Sequence, residues 1–463
     1  MPDGAALAWI DQHRERLVEE LRDCCRIPSV STVGGPAMAQ MADWLSDRLR
    51  AVLDEVGQVA VDGAAPAVVG RAAGAGPHSV LLYSHYDVQP PDPLDAWSSP
   101  PFAAELTADG RLVARGAADD KADVMARIHA LEALRATTGD LPCTVAWLCE
   151  GGEETGSPGL AALLTAERER LRADACLWES YLRRDDGRPE VGFGCRGLVA
   201  VELRLRSLRR DQHSAFAGVF RSAPLELARA LTTLCDEAGR PTIDGWLDDV
   251  AAPSPAARTA AAGIPAPDAG DAALPDRTPF VARPETELGT RLVLEPTVNV
   301  SGLDAGYTGA GVKTVLPAEA RAKLDLRLVA GQTPEGTVAR LRAHLDRRGF
   351  GDIEIDVRQG VPAAASPLDT PLARAVVGAA EERFGPALRY PMVPGAGPLH
   401  LLEDALGIPA VMPPGSTRMA SGIHAPDEHV RVEDYLEHVA FTVRTLERLG
   451  AEPAVGADRE GQR

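Results

Sequence analysis

Aromatic side chains are scarce in this 463-residue chain, with Phe, Trp and Tyr together at 4%. A core must therefore be assembled mostly from Ala, Val and Leu. Long apolar runs are missing too. None approaches the roughly 20 residues that a helix needs to cross a bilayer, so a membrane span is excluded. Positive charge is in deficit, with 48 Lys and Arg against 67 Asp and Glu and a formal net charge of -19. That balance argues against nucleic acid or an anionic membrane surface as partner. It suits solubility, and it is compatible with a carboxylate-rich site that holds cations. No CxxC spacing occurs among the seven cysteines (24, 25, 143, 149, 176, 195 and 235), and their number is odd. Reduced, mostly buried thiols in a cytoplasmic protein are expected. The opening stretch "MPDGAALAWIDQHRERLVEELRDCC" lacks a continuous apolar segment and reads as an amphipathic surface helix, not a signal peptide.

What remains is the composition of an ordinary globular protein, 45% hydrophobic and 25% charged. The length exceeds what one simple core accommodates, so two domains are expected. "SVLLYS" (79–84), "CTVAWLC" (143–149) and "DACLW" (174–178) read as buried strands. Between the first two, Val124, Ile128, Leu131 and Leu134 recur at helical spacing. Ser157-Pro158 reads as an N-cap with Pro at the first helical position. This β-α-β-α order predicts an α/β domain with a mostly parallel sheet. From about 196 the texture changes. "GLVAVELRLRS" (197–207) and "RAKLDLRLVA" (321–330) alternate like half-exposed strands, each followed by a helical pattern, at 223–239 and 333–349. An inserted α+β domain is predicted at 196–362, with 251–286 as a long irregular insertion. The first domain then comprises 1–195 and 363–450, with a helix from Leu368 and a strand at "IPAVM" (408–412), and 451–463 is expected to be a disordered tail.

Polar residues collect at the ends of these elements. The strand at 79–84 runs into His85 and Asp87, whose i, i+2 spacing puts both side chains on one side of an extended chain. Glu153 and Glu154 follow the second strand, Glu179 follows the third, and His424 follows the Pro/Gly loop after "IPAVM". Asp119 and Asp120 stand at the start of the first helix. In a parallel sheet the carboxyl ends of neighbouring strands share one edge, where ligands sit. Carboxylates forced together there repel unless cations compensate them. Two His with three Asp or Glu suit zinc or a similar divalent ion. Two such ions, three carboxylates and a bridging hydroxide sum to neutrality. A metal pair activates water at neutral pH, and a carboxylate outside the ligand set can act as general base. The arrangement asks for metal-assisted hydrolysis.

The stretches "HYDVQP", "GAADDK", "EGGEETGSPGL" and "GIHAPDE" resemble, in order, the signature blocks of the M20 family of dinuclear zinc peptidases and amidohydrolases. "WSSPPF" and "VKTVLPAEARAKLDLRLVAGQTPE" are most similar to its cytosolic dipeptidase and carnosinase branch. The resemblance runs from about 10 to 450. It implies a mostly parallel-sheet dinuclear-metal catalytic domain with an inserted α+β lid, and a homodimer formed through that lid. It implies two divalent ions per subunit, zinc with manganese or cobalt as alternatives, held by His85, Asp119, Glu154, Glu179 and His424. Asp119 would be the bridge, and Asp87 would orient the His85 imidazole. Glu153 would be the general base, and Asp119–Asp120 would be a cis peptide. In "DQHSAFAG" His213 falls where the family carries a histidine that stabilises the oxyanion, supplied to the partner's site. Asn299, Arg327, Gly395, Ala396 and Gly397 fall at substrate-contact positions, with Arg327 able to clamp a carboxylate.

The chain departs from the branch in places. Glu179 stands where Asp is usual, Ala122 where Gly is usual, and "HSAFAGVF" has fewer glycines. "VPGAGPLH" has Ala396 and Gly397 in place of Arg and Ser. The ligand set is intact and the substrate set altered. The leading expectation is a dipeptidase or short-peptide hydrolase. An N-acyl or N-carbamoyl amino-acid amidohydrolase stands second, and a non-catalytic scaffold that keeps the fold third.

Overall fold

The computed structural model describes residues 4–184, 186–266 and 287–454. The chain divides into two compact units. The first comprises Met1–Phe193, Ser366–Arg389 and Leu401–Arg463, and the second Gly194–Ala365 and Tyr390–His400.

A six-stranded sheet organises the first unit, in the order Glu55–Val59, Ala65–Ala72, Thr144–Gly151, Ser79–His85, Ala175–Leu177, Ala410–Val411. The first two pairings are antiparallel and the remaining three parallel. The parallel strands are buried on both faces, which is why they read as continuous apolar runs. Helices Ala122–Thr138, Val432–Ala451 and Ala5–Arg26 pack on one another, and Val432–Ala451 also meets Pro371–Phe384. Leu17, Leu45, Val80, Ile128, Leu131, Val439 and Leu446 make the core, with Trp147, Tyr435 and Phe441 among its few rings. The helix Ala5–Arg26 is more than a surface element, because it buries Ile10, Leu17, Leu21, Cys24 and Cys25.

Register fixes the site. His85 lies opposite Glu150, and Leu82 lies opposite both Trp147 and Leu177. The carboxyl ends of these three parallel strands thus share one edge of the sheet.

In the second unit four antiparallel strands lie in the order Thr297–Ala305, Glu319–Leu328, Gly197–Arg206, Glu354–Val361. Burial alternates along Gly197–Arg206, so Val199, Val201, Leu203 and Leu205 turn inward against Leu227, Trp246, Leu341 and Leu345. Ala223–Leu231 and Pro334–Arg347 supply the covering helices, the latter capped by Thr333.

Three expectations are corrected. The helix after Glu154 starts at Leu160 behind Gly159, not at Ser157-Pro158. Ser157 has φ +52°, and its hydroxyl donates to Glu150 instead of capping. The helix predicted over 223–239 ends at Leu231, and the chain then turns. Within 251–286 the segment Pro255–Ala262 is a helix capped by Ser254, while 267–286 lies outside the described residues. In the last stretch 451–463, helix Val432–Ala451 ends at Ala451, the Pro453 carbonyl meets His78 Nε2 at 2.9 Å, and 455–463 lies outside the described residues. All seven cysteines are free thiols, six buried and Cys235 half-buried.

Candidate metal centre

His85 closes the central strand with its side chain 1% exposed. Its Nδ1 lies 3.1 Å from the Asp87 carbonyl oxygen and 3.4 Å from Asp87 Oδ1. Both are acceptors, so Nδ1 carries a proton, and Nε2, turned towards Asp119 and Glu179, is the nitrogen that would ligate once its own proton leaves. The Asp87 carboxylate also accepts the backbone N–H of Glu153 at 3.2 Å and of Glu154 at 3.1 Å. One buried carboxylate therefore orients the imidazole and the turn that carries both glutamates.

Asp119 stands between two imidazoles. Its Oδ1 is 2.9 Å from His85 Nε2, and its Oδ2 is 3.3 Å from His424 Nε2. Glu154 Oε2 lies 3.2 Å from His424 Nε2, and Glu179 Oε2 lies 3.7 Å from His85 Nε2. The donors fall into two groups, each able to converge on one ion: His85, Asp120 and Glu179, and Asp119, Glu154 and His424. The Asp119–Asp120 peptide is cis. Asp120 had no role in the sequence reading; its Oδ2 accepts the His85 backbone N–H at 3.1 Å. Trp178 was also missed. Its Nε1–H donates to Glu179 Oε1 at 2.8 Å, and its ring stacks on Tyr83 at 3.6 Å. Its position directly before Glu179 was the only signal available.

Among the described residues, Asp119, Glu154 and Glu179 form ion pairs with histidine and none with Lys or Arg, and Glu153 forms none with either. The charges respond accordingly. Burial, with Glu153 nearby, pushes the Glu179 carboxyl well up. Burial raises Glu153 to about 6, with Asp119 and Glu154 adding to it against His85. Bonds to Asp119 and Glu154 lift His424 to about 10. Burial alone would lower His85, but Asp119 and Asp87 outweigh it and raise it. Glu153 and Glu179 driven towards neutrality, with Asp119 held ionised only by imidazoles that are themselves driven towards charge, mark a place short of fixed cations. The donor set of imidazole nitrogen and carboxylate oxygen fits a divalent ion of the zinc kind. Glu154 Oε1 supports the fit, being buried with no hydrogen-bond partner among the described residues.

Over residues 81–448 the chain matches the family described as Peptidase family M20/M25/M40. The chain belongs to that family. It is 31% identical over 355 residues to a Cys-Gly metallodipeptidase of Schizosaccharomyces pombe, covering 72% of this chain and 73% of that one. A Beta-Ala-His dipeptidase of Rattus norvegicus is 29% identical over 377 residues, covering 76% of each. Among solved structures, an M20 family metallo-carboxypeptidase from Sulfolobus solfataricus superposes with a TM-score of 0.82 at 30% identity. That match covers 94% of this chain and 99% of the other. This M20 chain is thus a hydrolase of a metal-binding peptidase family, with an α/β fold and a largely parallel central sheet. No helix among its described residues is long and apolar enough to cross a membrane.

The remaining candidates belong to the second unit. His213 ends the short strand Gln212–His213 and is exposed. Its Nδ1 accepts the Ala215 N–H at 3.1 Å, which leaves the proton on Nε2 as a donor. Asn299 pairs across the sheet with Asp325, and Thr297 with Arg327, so Asn299 and Arg327 share the open face. Asn299 Nδ2 donates to Asp325 Oδ2 at 3.2 Å. Arg196, buried beneath, donates to the Arg327 carbonyl at 3.3 Å. Gly395, Ala396 and Gly397 lie in the loop of Tyr390–His400, and Gly395 is exposed.

Proposed function

We propose that this M20 chain hydrolyses the amide bond of a dipeptide or short peptide bearing a free C-terminal carboxylate. One observation carries the reading. A single carboxylate, Asp119, touches both ligand-type imidazoles, while Glu153, held on the same turn as Glu154, has no cation beside it. His85, Glu179 and Asp119 would hold one divalent ion, and His424, Glu154 and Asp119 the other. Zinc is the first choice, with manganese or cobalt as alternatives. When bound, the two ions supply the Lewis acidity that activates a bridging water and polarises the scissile carbonyl.

The chain's own groups do the rest. Asp87 fixes the His85 tautomer and the glutamate turn. Glu153, with its carboxyl raised to about 6, accepts the proton of the attacking water as oxygen adds to the carbonyl carbon. It returns that proton to the amine nitrogen as the C–N bond breaks. Residues 1–195 and 363–450 form the catalytic domain in this reading, and 196–362 forms a lid and dimerisation domain. His213 donates its Nε2–H to the developing oxyanion, and Arg327, with Asn299 and the Gly395–Ala396–Gly397 turn, holds the substrate carboxylate. The likeness to a metallo-carboxypeptidase at 30% identity supports recognition of a free carboxylate. Free thiols suit a cytoplasmic setting.

A second reading, hydrolysis of N-acyl or N-carbamoyl amino acids, is favoured by Glu179 and by the altered turn at Ala396 and Gly397. Turnover of a dipeptide panel against N-acetyl and N-carbamoyl amino acids, after reconstitution with zinc, manganese or cobalt, separates the two. Dipeptides should win; preference for the acylated set would transfer the assignment. A chain that neither retains metal nor turns over either panel would be a scaffold.

The lid assignment has its own test. In a homodimer where His213 serves the neighbouring site, mixing inactive His213→Ala with inactive Glu153→Gln restores part of the activity. Subunit exchange without recovery would return His213 to its own site.

A further inference from the structure

Glu428 was quoted in the sequence within "GIHAPDE" and given no task. It is 1% exposed, and it sits four residues beyond His424 on a loop where His424 and Asp427 have φ +61° and +58°. Non-glycine residues keep such angles only where their surroundings hold them. Every contact of the Glu428 carboxylate leads to the loop that carries Asp119. Oε1 accepts the backbone N–H of Ala118 at 2.8 Å and of Asp119 at 3.1 Å. Oε2 accepts the N–H of Gly116 at 3.0 Å and the guanidinium of Arg115, itself 1% exposed, at 2.5 Å. The Glu428 carbonyl takes the Ala114 N–H at 3.0 Å. On the other side, the Thr417 hydroxyl donates to the Ala118 carbonyl at 2.9 Å. Ala118, the residue before the bridging carboxylate, is thus gripped at both of its peptide groups.

A carboxylate that receives three backbone N–H groups and a guanidinium has its acceptor sites committed to geometry and none left for a ligand. Its reach joins two ligand-bearing loops, one with His424 and one with Asp119. Asp427 ties the same loop outward, accepting the Ser98 N–H at 2.8 Å and its hydroxyl at 2.9 Å.

We propose that Glu428, assisted by Thr417, is a positioning residue that locks the Asp119 loop to the His424 loop and so sets the metal affinity of the Asp119–Glu154–His424 group. The proposal rests on the two-metal reading above. Gln in place of Glu428 turns a donor towards Gly116 N–H and Arg115, which breaks one side of the clamp and leaves the ligands themselves in place.

The test measures metal affinity on metal-free protein by competition with a chromogenic chelator, for zinc and for cobalt, alongside the cobalt absorption spectrum. For Glu428→Gln the site formed by Asp119, Glu154 and His424 should lose about 10–100-fold in affinity, the range typical of groups that orient metal ligands. The cobalt bands of that site should shift, with a smaller change at the other site, which shares Asp119. Thr417→Val, which removes one hydrogen bond, should lose about 3- to 10-fold. Unchanged affinities and spectra in Glu428→Gln, even with a lower melting temperature of the metal-free protein, would make its role structural only and overturn the proposal. Should Glu428→Gln not fold, unchanged affinity in Thr417→Val overturns it equally. A wild-type chain that binds fewer than two ions would instead overturn the two-metal reading, before either variant is judged.

Discussion

Among the described residues of the first unit, three groups each gather a histidine and two carboxylates within reach of a single ion. One stands apart and two adjoin at Asp119–Asp120, and only the adjoining pair reads as a metal centre. In the first, on the packed helices Ala5–Arg26 and Ala122–Thr138, Glu20, His129 and Glu132 converge. Arg16 donates to Glu20 Oε1 at 2.9 Å, and Arg48 and His129 meet Glu20 Oε2 at 2.6 and 2.8 Å. Arg16 also reaches Glu132 at 3.1 Å, and Tyr435 donates to His129 Nδ1 at 2.7 Å. Burial would raise the Glu20 carboxyl, but His129, Arg48 and Arg16 outweigh it and hold it at about 2. In the second place, around Asp119, no guanidinium or ammonium among the described residues pairs with Asp119, Glu153, Glu154 or Glu179, and Glu153 and Glu179 are pushed up. Clustered ligand types therefore do not define a metal site. What separates the two places is fixed positive charge: arginines already answer Glu20 and Glu132, whereas among the described residues imidazoles alone answer Asp119, Glu154 and Glu179.

The largest effect that could break this contrast comes from Asp119→Asn. Removing one negative charge from the group that touches both imidazoles should release both ions. Turnover should fall by more than about 10³, since the metal-supplied part of the catalysis leaves with them. Metal analysis after reconstitution checks it, and full retention of two ions would show that Asp119 is not the bridge. Glu153→Gln comes next. If Glu153 is the proposed general base and not a ligand, turnover should drop by about 10²–10⁴ with both metals retained. Loss of an ion there would exchange the roles of Glu153 and Glu154.

The contrast can also be sharpened by building the closed arrangement into the open one. Gln89 Nε2 already donates to Glu154 Oε2 at 2.9 Å. Gln89→Arg would bring a guanidinium to the place that Arg48 fills beside Glu20. A charged hydrogen bond of about 1.5 kcal/mol competing for Glu154 corresponds to about tenfold weaker metal binding. Chelator competition reads it, and an unaltered affinity would mean that fixed cations are not what separates the two clusters.

Much of the open site was legible because its residues sit at element ends. The strands Ser79–His85, Thr144–Gly151 and Ala175–Leu177 announce themselves as apolar runs, and the i, i+2 spacing of His85 and Asp87 survives folding unchanged. The antiparallel edge Glu55–Val59 and Ala65–Ala72 was not read, since short strands rich in Gly, Ala and Pro carry little β pattern. Ser157-Pro158 misled because the hydroxyl that could cap a helix is taken by Glu150, a partner visible only in three dimensions. The supports of the site were hidden for the same reason. Glu428 meets Gly116 and Ala118, and Arg127 serves the carbonyls of Tyr83 and Trp178, across separations that no local pattern encodes. His129, by its bonds to Glu20 and Tyr435, is a satisfied core histidine.

The smallest effect concerns the closed cluster and tests the other half of the contrast. With Arg16 and Arg48 in place, Glu20 should contribute to folding and nothing to metal binding or turnover. Its carboxyl, held at about 2 against an ordinary 4.5, binds fewer protons folded than unfolded between those values. Its contribution is therefore complete above about pH 4.5 and is lost as the pH falls towards 2. Because the group is partly exposed, solvent screening reduces the contribution to about 1–2 kcal/mol. Glu20→Gln should thus lower the urea midpoint at neutral pH by a corresponding amount, with metal content and kcat unchanged. The gap between variant and wild type should narrow steadily from about pH 5 to about pH 3. A gap independent of pH would mean that Glu20 acts through packing and not through its charge. A fall in metal content would mean that the cluster holds an ion after all, and that counting its arginines was the wrong way to tell the two places apart.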